Sequence, residues 1–212
     1  MTQRIAIIGW GSLLWHSAPE FDAWHGDWNF EGPVIPIEFA RVSPKRAGAL
    51  TLIVDPVHGE PTQTAFALSK RETVEEAYQD LMAREWGKTP EVIGRHVRGR
   101  EPEPSDGPAA AIAAWAAAMD IDAVVWTAFT NNFREKTGVE FSVPAAKTYV
   151  KNLPRDEQER AVHYIHRAPD FVRTPLRLGL LDEEWFCRLA EELCSPPARA
   201  GAGTGGKDEP QR

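Results

Sequence analysis

Apolar residues recur along the chain in two registers, one extended and one helical. Arg4–Ile8 is a β-branched and apolar run that stops at Gly9-Trp10-Gly11, the pattern of a buried strand entering a glycine-bearing loop. Val34–Val42, Leu50–Val54, Thr64–Leu68 and Ala123–Thr127 read as further strands. Between the second and third runs, Ser43-Pro44-Lys45-Arg46-Ala47-Gly48 supplies turn chemistry. Val34–Val54 is therefore predicted to be a hairpin whose loop cations, Lys45 and Arg46, face water. The helical register runs over Thr73–Trp86, Ala109–Met119, Pro144–Asn152, Asp156–Arg167 and Asp182–Cys194. Two candidate capping boxes, Ser69-Lys70-Arg71-Glu72 and Thr73-Val74-Glu75-Glu76, fix the start of the first helix to within a turn.

Strands with few intervening helices favour a small curled sheet or barrel over a doubly wound parallel sheet. Glu101–Pro108 is rich in proline and charge and joins a strand-rich half (1–100) to a helical half (109–194), so 1–194 is expected to form one domain. From Ser195 on, Pro, Ala, Gly and charge replace every large apolar residue, which predicts a disordered tail over 195–212.

The 212 residues are 42% hydrophobic and 26% charged, an ordinary globular balance. Lys and Arg number 24 against 31 Asp and Glu, leaving a formal charge of −7. Such a chain has no electrostatic footprint for nucleic acid or an anionic membrane, and a small-molecule partner is the better expectation. Cys187 and Cys194 form neither a disulfide framework nor a C-x-x-C pattern. No apolar stretch approaches the length of a membrane span or a signal sequence, so a reduced, cytoplasmic protein is expected. Of the eight tryptophans, Trp10, Trp15 and Trp24 crowd the first 24 residues, where they could line either a core or a pocket.

Two features carry candidate chemistry. With Val74 at zero and about 100° per residue, Ala77, Tyr78 and Leu81 cluster within roughly 60°, and Glu85 falls at about 20°. Its neighbours Glu75, Glu76, Gln79, Asp80 and Arg84 point elsewhere. A carboxylate on the apolar face is costly unless it is paired or neutralised, and burial raises its pKa toward the range useful for proton transfer. The bland alternative is that Glu85 frays into solvent or pairs with Arg95 or Arg98.

The second feature is Gly9-Trp10-Gly11-Ser12-Leu13-Leu14. A dinucleotide fingerprint would need a third glycine where Leu14 stands, and a hydrolase nucleophile elbow would need glycines where Trp10 and Leu14 flank Ser12. What remains is a loop whose backbone N–H groups can approach a ligand carboxylate, or simply a tight strand exit with Ser12 as a helix cap.

Together these features resemble a known family. Gly9-Trp10-Gly11-Ser12-Leu13-Leu14-Trp15 is similar to the G-Y-G-S-L-[IV]-W motif that opens the γ-glutamylcyclotransferase superfamily, its ChaC-like branch in particular. Thr64–Leu68, followed by the helix ending Asp80-Leu81-Met82-Ala83-Arg84-Glu85, is similar to that family's strand and its L-D-x-R-E helix end. The resemblance covers roughly residues 4–86 and does not extend past Gly107; Trp10 stands where the family has Tyr, and Met82 where Asp is common. It implies an α+β fold, a small mixed β-barrel of five to six strands flanked by helices. It also implies that Glu85 is the catalytic acid/base and that Gly9, Trp10, Gly11, Ser12 and Leu13 bind a γ-glutamyl group. The implied reaction closes 5-oxoproline and releases an amine or peptide, with no cofactor and no metal. The leaving group, as in glutathione, a γ-glutamyl amine or a γ-glutamyl amino acid, would meet the unmatched second half.

A non-catalytic module that binds a γ-glutamyl or amino-acid ligand is the competing expectation, and a structural protein whose barrel is filled by Trp10 and Trp15 is a third. His163 and His166 have helical i, i+3 spacing but lack a third ligand, so a solvated helix face is expected there. Thr130, Asn131 and Asn132 follow a strand, where asparagines form turns more often than pockets. In Val34–Val42 alternation puts Ile35, Ile37 and Phe39 on one face and Pro36, Glu38 and Ala40 on the solvent face. Were the faces reversed in a barrel, Glu38 would be a second pocket carboxylate and Arg41 a carboxylate clamp.

Overall fold

A computed structural model of the chain describes residues 3–85, 92–102 and 105–194; the predicted helix end at Trp86 and the tail over 195–212 lie outside them. β1 (Ile5–Gly9) is buried along its whole length, as an uninterrupted apolar run requires. It pairs antiparallel with β5 (Ala65–Leu68) and parallel with β7 (Ala123–Thr127), and β6 (Ile93–Val97) joins the far edge of β7 antiparallel. The second sheet is antiparallel, with β2 (Val34–Val42) between β3 (Leu50–Val54) and β4 (Glu60–Gln63). The predicted hairpin is its β2–β3 pair.

Thr64 joins the two sheets, because the chain leaves β4 and enters β5 there without turning back. Its hydroxyl donates to Pro33 O at 2.7 Å and its carbonyl accepts from Gly32 N at 3.0 Å, which fixes the crossing. Among the described residues neither sheet closes on itself. The expected closed barrel is thus corrected to a mixed α+β arrangement of one four-stranded and one three-stranded open sheet. The strand count also rises, since β4 and β6 carry too few apolar side chains to show in the sequence.

Alternation along β1 sends Ile5 and Ile7 to one face and Ala6 and Ile8 to the other, giving two cores. On the first face lies α2 (Val74–Glu85), packed through Ala77, Tyr78 and Leu81. Its start is the second of the two capping boxes: Thr73 N donates to Glu76 Oε2 at 3.1 Å, and Glu76 N to Thr73 Oγ1 at 3.3 Å. On the second face the three-stranded sheet and α3 (Gly107–Ala118), α5 (Val143–Lys151), α6 (Arg155–His166), α7 (Pro175–Leu181) and α8 (Glu184–Cys194) enclose the larger core. α1 (Pro19–Asp22), α4 (Phe133–Thr137) and α7 are shorter than the periodicity can register. No helix among the described residues is long and apolar enough to cross a membrane.

Glu38 departs from its predicted solvent face. Both faces of β2 are covered, and the side chain is fully buried. Its Oε1 accepts from Phe39 N at 2.7 Å and its Oε2 from Leu176 N at 3.1 Å, so the carboxyl caps the first turn of α7. Burial pushes its pKa up, against the lowering effect of Thr174 and the two backbone donors. Glu38→Ala is expected to cost about 2–4 kcal/mol in urea unfolding, since two buried N–H groups lose their acceptor. A raised folded-state pKa gives stability that is full below the unfolded value and is lost as pH rises through the folded one. The cost should therefore be larger near about pH 4 than near about pH 8.

Candidate active site

The exit of β1 sets one wall of a cavity. A Cβ on Gly9 would lie 2.8 Å from the Trp28 ring, so that glycine serves packing beneath the loop, and the cavity lining begins at Trp10. After Gly11 the chain forms a 3-10 turn over Ser12–Leu14, closed by Leu14 N donating to Gly11 O at 3.0 Å. The N–H groups of Ser12 and Leu13 thus have no acceptor within the turn. Of the five residues predicted to cradle a ligand, Trp10, Gly11, Ser12 and Leu13 line the cavity and Gly9 does not.

The cavity measures about 500 Å³, within the range of small-molecule sites. The end of α2 delivers Glu85 to the same cavity that the Gly11–Leu13 turn lines. Trp10 is buried in the wall and does not fill the space, and Trp15 packs against Tyr164 with ring centroids 5.7 Å apart. A filled interior is therefore not what the chain forms. Arg95 is engaged with Glu75 at 2.9 Å and Arg98 with Asp120 at 2.8 Å, so neither takes Glu85 as the bland alternative supposed.

Glu85 is half-buried at the cavity wall. Loss of hydration pushes its pKa up, and the nearby charges of Arg84, Lys45 and Arg46 pull it partly back. Lys45 Nζ also donates to the Glu85 backbone carbonyl, which holds the helix end against the β2–β3 loop.

That loop overturns one expectation. Lys45 is exposed but lines the rim, while Arg46 is half-buried and turned inward. Pro44–Arg46 forms a 3-10 turn, and Ala47 and Gly48 then take positive φ, 49° and 80°, which curls the loop back over the cavity. Arg46 Nη2 donates to Ser12 Oγ at 3.0 Å, and its guanidinium lies 4.5 Å from the centroid of the Tyr164 ring.

Tyr164 is the residue that sequence reasoning missed. It sits on the buried face of α6 beside Ala161 and Ile165, where an aromatic reads as ordinary core. It lines the cavity, where burial and the charge of Glu85 push its hydroxyl pKa up against the lowering effect of Arg46, the Leu52 backbone and Ser12. Arg41, Thr127 and Phe129 complete the far side.

The other candidates lie elsewhere. Glu38 does not line the cavity. Asn132 pairs both amide atoms with Val42, accepting from its N at 2.8 Å and donating to its O at 3.1 Å. Asn131 donates to Asp55 Oδ2 at 3.0 Å. Both amides secure the end of β2 and the turn after β7. His163 and His166 are exposed on α6.

Comparison of this chain with known protein families and with curated proteins finds no match.

Proposed function

We propose that this cavity is the active site of a γ-glutamylcyclotransferase-like enzyme. The observation that supports the reading most directly is the position of Glu85, a half-buried residue that lines one cavity together with the Gly11–Leu13 turn. The α-carboxylate of a γ-glutamyl substrate would sit against the Ser12 and Leu13 N–H groups and the Arg46 guanidinium, which places its α-amino nitrogen toward Glu85. That nitrogen attacks the γ-carbonyl carbon of the same molecule. The C–N bond of 5-oxoproline forms, the original amide C–N bond breaks, and Glu85 moves the proton from the attacking nitrogen to the departing amine. Water is neither consumed nor made.

The attack is intramolecular, so holding the chain in a folded conformer supplies much of the acceleration. One base of adjusted pKa covers the proton transfer. The kinship of this two-sheet α+β fold with that family is part of the proposal, carried by the motif at 9–15 and the helix end at 80–85.

The test is release of 5-oxoproline from a panel of γ-glutamyl amino acids, peptides and amines, with Glu85→Gln as the control. Tight binding without turnover would favour a carrier of such ligands instead. The pH profile gives a further check. kcat/KM should rise with pH as Glu85 loses its proton, with the acid limb above the usual glutamate range. Lys45→Met removes a charge that favours the ionised form, so its acid limb should move to higher pH. An unmoved limb would assign the titration to another group.

A further inference from the structure

We propose that Arg41, with Phe129 beside it, is the subsite for a carboxylate on the leaving half of the substrate, so that the chain acts on γ-glutamyl amino acids or peptides in preference to γ-glutamyl amines. The proposal rests on the cyclotransferase reading and extends it to the leaving group.

A chain whose formal charge is −7 brings Arg41, Lys45, Arg46 and Arg84 to the lining of one cavity, together with, among the described residues, one carboxylate, Glu85. Among the described residues the side-chain hydrogen bonds of the three arginines go to neutral oxygens: Arg41 to Thr130 O at 2.9 Å, Arg46 to Ser12 Oγ at 3.0 Å and Arg84 to His16 O at 3.0 Å. Such an arrangement attracts an anion, and its charge exceeds what one substrate α-carboxylate can balance.

The four cations fall into two groups. Those whose charge acts on Glu85 are Arg84, Lys45 and Arg46, at the end where the γ-glutamyl group is placed. Arg41 stands apart, at the irregularity in β2 opposite Thr51, with its guanidinium 4.7 Å from the centroid of the Phe129 ring. The charge acting on it is Glu135, an exposed residue already engaged by Lys136. One carbonyl uses one of the five donors of a guanidinium, and the planar fork matches a carboxylate. The backbone around it is held rigid by Asn132 on Val42, so the fork is preorganised. Phe129 and Leu52 supply apolar surface next to it, fitting the side chain of an amino acid whose own carboxylate reaches Arg41.

The experiment compares γ-glutamyl-alanine with γ-glutamyl-alaninamide, which differ only in that carboxylate. Wild-type kcat/KM should favour the acid by about 10- to 100-fold, the worth of a charge-assisted hydrogen bond. Arg41→Gln should bring the ratio close to one, and Arg41→Lys should retain part of it. Equal turnover of acid and amide by the wild-type protein overturns the proposal, as does an Arg41→Gln variant that keeps the preference. Should no substrate give 5-oxoproline, the cyclotransferase reading fails first. The carboxylate subsite is then read by calorimetry on Glu85→Gln, where tenfold tighter binding of the acid supports it and equal or absent binding overturns it.

Discussion

Glu85→Gln should lower the rate of 5-oxoproline release by about 10²- to 10⁴-fold, the usual worth of a positioned acid/base group. That corresponds to about 3–5 kcal/mol of barrier. Glutamine keeps the volume and one acceptor oxygen but cannot carry a proton between the two nitrogens. KM should change little, because the cradle and the cations that hold the substrate are untouched. The fold should also survive, and the electrostatics say why. Burial raises the Glu85 pKa. A group of that kind gives stability that is full below its unfolded pKa and lost as pH rises through its folded pKa. At neutral pH the wild-type protein therefore holds a carboxylate at a penalty that glutamine does not incur. The variant should melt at the wild-type temperature or slightly above it while its turnover is lost. Turnover within threefold of wild type would remove Glu85 from the mechanism.

Glu85 was legible because its helix obeys its period. Ala77, Tyr78 and Leu81 set the apolar stripe, and a carboxylate on the same stripe stands out against 31 acidic residues. The cradle was legible for a different reason: a glycine pair at the end of a wholly apolar run marks where the chain must turn close to something. What could not be read is whatever depends on which elements meet. Arg46 looks like a solvated turn residue until Ala47 and Gly48 fold the loop inward. Tyr164 has the signature of a core aromatic, because the groups it meets at the cavity, Ser12, Arg46 and Leu52, lie more than one hundred residues earlier. Glu38 was assigned to solvent because alternation supposes one wet face, and β2 has none.

The same reasoning separates the strands that showed from those that did not. β2, β3 and β7 begin and end where their apolar runs do. β4 buries only Thr62, and β6 reads Ile-Gly-Arg-His-Val with one fully buried side chain, so neither offers a pattern. Edge strands are held by the ladder more than by their side chains. The ladder is a property of the neighbour. Asn132, too, could be read only as a turn former, since its partner Val42 lies 90 residues away.

Arg177→Met should give the largest loss of stability, about 3–5 kcal/mol, and lower the melting temperature by roughly 10 °C. Among the described residues the hydrogen bonds of the buried Arg177 guanidinium on α7 go to backbone carbonyls. Nη2 donates to Ala168 O at 2.6 Å and His166 O at 3.3 Å, and Nη1 to Pro169 O at 2.6 Å and Val172 O at 2.8 Å. These oxygens lie at the C-terminal end of α6 and in the turn after it, where a helix exposes unpaired carbonyls and a partial negative charge. Methionine fills much of the same space and satisfies none of them. Arg177→Lys, with three donors and no fork, should recover part of the loss. The damage should also reach the cavity. Tyr164 lies within the last turn of α6, and Leu176, whose N–H is held by Glu38, is the neighbour of Arg177. The buried Glu38 carboxyl and Arg177 guanidinium thus fix α7 against β2 and the end of α6 against α7. In Arg177→Met, 5-oxoproline release should fall several-fold at temperatures where the variant is still folded, and added substrate should raise its melting temperature more than it raises that of the wild type. A stability loss below about 1 kcal/mol would mean that water replaces the guanidinium at these carbonyls, and Tyr164 would then need another anchor.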